Sequence, residues 1–84
     1  MKITKIPVAY RKLISAGLTH RISMWRGSYD YSISRFYRIR DFLQDNYTSG
    51  WKLGAIKKEN RSISIYINEE ILTLLLLNGM NNED

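Results

Sequence analysis

The chain has no cysteine, one histidine and one proline in 84 residues, and each scarcity removes a class of answer. Without cysteine no disulfide can staple the fold, and His20 alone cannot supply the four Cys/His ligands of a structural zinc site or the pair of a two-histidine site. Long apolar runs are missing too. The best, Ile71 to Leu77, is interrupted by Thr73 and falls far short of the roughly 20 residues that cross a bilayer. Lys2, Lys5, Arg11 and Lys12 break up the N-terminal stretch, so it does not read as a signal peptide. The expectation is a protein without a membrane partner, located in the cytoplasm, that of a host cell if the source is viral. No Gly-rich phosphate loop, GxSxG or HExxH occurs, so no enzyme, cofactor or metal is expected. Asp41 and Asp45, one helical turn apart, read first as a solvated face balancing Arg38, and Glu69 and Glu70 as charges at a helix start.

Acid is scarce in one half only. Residues 1–40 carry nine Lys/Arg against Asp30 alone, a net of +8, whereas residues 41–84 carry four against seven, a net of −3. A basic half suits a polyanion, of which nucleic acid is the commonest. The basic residues also alternate with rings, in Trp25-Arg26, Tyr29, Tyr31 and Arg35-Phe36-Tyr37-Arg38-Ile39-Arg40. That is a pairing suited to phosphates and bases, with Tyr29, Tyr31 and Tyr37 as the candidates for exposure.

The length allows one hydrophobic core, and a chain this small buries only about 60% of its unfolded surface. One domain over residues 1–79 is expected, with 80–84 an acidic disordered tail. Pro7 suits a helix start and Gly17 a helix stop, so a helix is expected over 7–16 with Tyr10, Leu13 and Ile14 on its apolar stripe. Residues 18–26 fit two periods. Leu18, His20, Ile22 and Met24 alternate with Thr19, Arg21, Ser23 and Trp25 as in a strand; Leu18, Ile22 and Trp25 also fall at the i, i+4, i+7 positions of a helix.

The next element is a clear helix, capped by Ser32 or Ser34, with Phe36, Ile39, Phe42, Leu43 and Tyr47 inward. Arg40 falls near its apolar face and needs a carboxylate, a partner or a route to solvent. Trp51 to Ile67 reads as a hairpin with its turn at Lys57 to Asn60. Ile63, Ile65 and Ile67 lie on one face of its second strand, and Ser62, Ser64 and Tyr66 on the other. Asn68 caps a last helix ending at Asn78-Gly79. Its leucines surround the axis, so Leu72, Leu74, Leu76 and Leu77 are the expected interface with a partner, most simply a second copy in a homodimer.

The string LISAGLTHRISMWRG followed by SYDYSISRFYRIRDFL resembles the helix-turn-helix of the phage Cro, CII and lambda-repressor-like DNA-binding proteins. The matching stretches are Ala16-Gly17-Leu18, Ile22-Ser23-Met24-Trp25, Arg26-Gly27 and Ser32 to Leu43. The resemblance implies a small helical N-terminal half, which with the β-hairpin and the C-terminal leucine-rich helix read above makes an α+β chain. It also implies a phage-type transcriptional regulator of duplex DNA, with Thr19, His20, Arg21 and Ser23 facing the groove and Arg26, Arg35 and Arg11 on phosphates; Arg38, from the same run of basic residues and rings, joins them as an expected nucleic-acid-binding residue. The rival expectation is a small phage- or plasmid-encoded α+β inhibitor that binds a host enzyme or defence complex as its protein partner. Residues 18–33 would then form a first hairpin, giving two successive hairpin-helix units.

Overall fold

A computed structural model of the protein describes residues 2–25, 30–54 and 62–79. Its elements run β1 (Lys2–Lys5), α1 (Arg11–Ser15), β2 (His20–Trp25), α2 (Asp30–Asn46), β3 (Trp51–Leu53), β4 (Ser62–Ile67) and α3 (Glu69–Leu77). The four strands form one antiparallel sheet in the order β1-β2-β4-β3. Two units thus repeat one plan, an outer strand, an inner strand and then a helix, and they join where β2 pairs with β4.

The helical N-terminal half expected from the helix-turn-helix resemblance is corrected. Residues 20–25, which would have held the recognition helix, are a central strand paired on both sides. The strand period wins because two partners are present. Ile63, Ile65 and Ile67 offer an apolar strand on one flank, and Lys2-Ile3-Thr4-Lys5, assigned to no element in the sequence reading, supplies the other. The hairpin expected at 18–33 in the rival reading is also corrected, because the first hairpin is β1 with β2 and Asp30 already begins a helix.

The connection between β1 and β2 holds α1, which is shorter than the 7–16 expected. Pro7 opens a turn, in which the Tyr10 N–H donates to the Pro7 carbonyl at 2.9 Å, and the helix starts only at Arg11. Gly17 ends it at φ +88°. The Gly17 N–H donates to Ile14 O at 2.9 Å and the Leu18 N–H to Leu13 O at 3.1 Å, the paired bonds of a Schellman cap.

Helices α2 and α3 cover one face of the sheet. Ile22, Met24, Ile63, Ile65 and Ile67 from the strands meet Phe36, Ile39 and Leu43 of α2 and Ile71 and Leu75 of α3 in a single buried cluster. Each side chain of that size contributes about 1.5–3 kcal/mol when fully removed from water. The α2 apolar face is as read from its spacing, except that Phe42 remains 37% exposed. Tyr47, just beyond the helix, is held at the core edge, where its carbonyl accepts from Trp51 Nε1 at 3.1 Å. Helix α3 begins as the Asn68 cap implies, with the Asn68 side-chain oxygen accepting from the Ile71 N–H at 2.8 Å.

Candidate nucleic-acid interface

Strand side chains alternate between the two faces of a sheet, so the pairing register assigns every position. On the helix-covered face Ile3, Ile22, Ile65 and Leu53 make one row across β1, β2, β4 and β3. On the opposite face the neighbouring row is Thr4, Arg21, Tyr66 and Lys52, and the next holds Lys2, Ser23 and Ser64. This second face carries three cations and no carboxylate among its described positions. Lys2 and Lys52 are exposed; Thr4, Arg21, Ser23, Ser64 and Tyr66 are half-buried, and none is buried. Strands lie about 4.8 Å apart, which sets Arg21 and Lys52 roughly 10 Å from each other with Tyr66 between them.

The cations have no counter-charge within the described fold. The side chains of Lys2, Arg21 and Lys52 make no hydrogen bond or ion pair with a described residue, and the one salt bridge among the described residues, Arg40 to Asp41, lies on α2. Thr4 Oγ1 and Arg21 Nε, side by side in the register, are enclosed without a hydrogen-bond partner. Ser23 and Ser64 hydroxyls stand 3.5 Å apart across the central strand pair, so each keeps hydrogen-bonding capacity to spare.

Tyr66 is placed by a glycine. The Gly54 N–H extends the β3–β4 ladder by donating to Ser64 O at 2.8 Å. A Cβ at Gly54 would stand 2.9 Å from Tyr66 Cε2 and 3.1 Å from Ser64 O. The absent side chain is therefore the space the Tyr66 ring occupies.

No family model, curated protein or solved structure matches this chain.

Of the residues expected to contact nucleic acid, the fold brings Arg21 and Ser23 onto the sheet face opposite α2 and α3. Thr19, one residue before β2, shares a 2.8 Å hydrogen bond with His20 Nδ1. His20 itself alternates onto the helix side, in register with Lys5 and Ile67. Arg11 is exposed on α1, whereas Arg35 and Arg38 belong to α2 in the helix layer. Arg26 lies outside the described residues, as do Tyr29, the Lys57 to Asn60 turn and the 80–84 tail. Lys2, Thr4, Lys52, Ser64 and Tyr66 were not among the expected site residues. The alternation of β4 had already put Ser64 and Tyr66 on one face; the missing information was which strand lies beside it.

In the helix layer Arg35, Arg38, Ile39 and Phe42 of α2 and Leu75, Asn78 and Gly79 at the end of α3 line an open groove of about 300 Å³. Of the leucines expected at a partner interface, Leu72 packs against the core and Leu74 is half-buried, while Leu76 and Leu77 are 47% and 81% exposed. Arg40 meets the requirement its position imposed. Its Nη2 donates to Asp41 Oδ1 at 2.9 Å and its guanidinium lies 4.6 Å from the centre of the Tyr37 ring, so Tyr37, though 46% exposed, has a cation on one face. Among the described residues no His/Cys/Asp/Glu group is arranged to hold a metal, and no helix is long and apolar enough to cross a membrane.

Proposed function

We propose that this protein binds nucleic acid through the sheet face opposite α2 and α3, with Arg21, Lys52 and Lys2 on phosphates and Tyr66 against bases or sugars. The observation that carries the reading is the Thr4-Arg21-Tyr66-Lys52 row, which spans all four strands and meets no carboxylate. A folded protein normally intersperses charges of both signs on a solvated surface, so a one-sign field across a flat face suits a polyanion. Ser23 and Ser64 add hydroxyls that can donate to phosphate or base edges.

The test is fluorescence anisotropy of a labelled oligonucleotide at several salt concentrations. Three phosphate contacts give a log–log slope of about −2 on a single strand and about −3 on a duplex. Replacing Arg21 and Lys52 together by alanine is expected to remove most of the binding and flatten the slope. Replacing Arg38, which belongs to α2 on the other side of the sheet, is expected to change it much less. Absence of binding at low salt, or indifference to the Arg21/Lys52 pair, overturns the proposal.

A further inference from the structure

We infer that the sheet face is shaped for single-stranded rather than duplex nucleic acid, a deepening that rests on the nucleic-acid reading above. Width is the first argument. Four strands at about 4.8 Å spacing set the β1 and β3 axes roughly 14 Å apart before side chains are added. The B-form major groove is about 12 Å wide and admits a helix or a two-stranded ribbon. The cations are not gathered on two neighbouring strands that such a ribbon could present; Lys2 lies on β1, Arg21 on β2 and Lys52 on β3. Docked on a duplex, the sheet rests on the outside of the cylinder and only part of the basic row reaches phosphate.

The placement of the ring is the second argument. Tyr66 stands inside the row, between Arg21 and Lys52, with its edge against Gly54. A duplex offers phosphates and groove edges to a group in that position, because its base faces are stacked on one another. A single strand offers unstacked base faces, and a strand running across the sheet from β2 to β3 sets phosphates on Arg21 and Lys52 with a base over the ring. Stacking on one ring is tolerant of base identity, so weak sequence preference is expected.

The experiment compares a labelled 20-nucleotide oligothymidine with a blunt 20-base-pair duplex, titrated with the intact protein at low and moderate salt. Preference for the single strand by fivefold or more is expected. Tyr66→Leu should weaken single-strand binding by about tenfold and duplex binding much less, whereas Tyr66→Phe keeps the ring and should keep the affinity. Circular dichroism of both variants confirms that the sheet is intact, and the preference of the unsubstituted protein is decisive by itself if Tyr66→Leu fails to fold. Equal or tighter duplex binding, or a folded Tyr66→Leu with full single-strand affinity, overturns the single-strand inference and leaves nucleic-acid binding standing. Failure to bind either probe at low salt overturns both.

Discussion

Two glycines in this chain do opposite work, and substitution separates them. At Gly17 a Cβ would meet nothing within 4 Å, but the backbone sits at φ +88°. Gly17→Ala is therefore expected to cost about 1–2 kcal/mol through backbone strain alone. At Gly54 the difficulty is the neighbour, since the added carbon would fall 2.9 Å from the Tyr66 ring and 3.1 Å from a backbone oxygen. Gly54→Ala is expected to destabilise by about 1–3 kcal/mol, as overpacking does, and in addition to displace the ring and weaken oligonucleotide binding. Urea denaturation of both variants with parallel binding titrations distinguishes the two; Gly17→Ala should leave affinity unchanged. Asn68 is a third residue with a single identifiable role. Its side-chain oxygen takes the Ile71 N–H at 2.8 Å, so Asn68→Ala should cost about 1 kcal/mol by the same denaturation measurement.

Among the elements, the central strands hold the stability. Ile22 and Ile65 face each other in register and are both fully buried. Ile65→Ala is expected to cost about 2–5 kcal/mol in urea denaturation, while Leu77→Gln, at an 81% exposed site, should stay within about 0.5 kcal/mol. The contrast also shows which elements were legible. The second hairpin and α3 could be read because each carries its own local signals, alternating isoleucines in β4 and an Asn cap followed by two glutamates in α3. Helix α2 was legible in its apolar spacing, although it starts at Asp30, ahead of the expected serine caps. Residues 18–26 satisfied both periods, and what decided between them was non-local. β2 is a strand because β1 and β4 flank it, and β1 is a four-residue edge strand with one isoleucine, too short to announce itself. Its terminal lysines are the kind of charge that protects a sheet edge, a signal visible only once the sheet is known.

At the scale of the whole molecule, the division into a basic first half and an acidic second half was correct as a count and misleading as a map. Lys52 comes from the acidic half and joins Arg21 and Lys2 on the sheet face opposite α2 and α3, while Arg35, Arg38 and Arg40 of the basic half sit in the helix layer. Antiparallel pairing of two hairpins, not position along the chain, gathers the candidate site. Two-dimensional ¹H–¹⁵N NMR of the labelled protein, titrated with unlabelled oligothymidine, tests that gathering most directly. Shifts concentrated at Lys2–Lys5, Arg21–Ser23, Lys52–Gly54 and Ser64–Tyr66, with the exposed faces of α2 and α3 unchanged, are expected. Shifts confined to the α2–α3 groove around Arg38 and Phe42, or none at saturating oligonucleotide, would contradict an interface on the sheet.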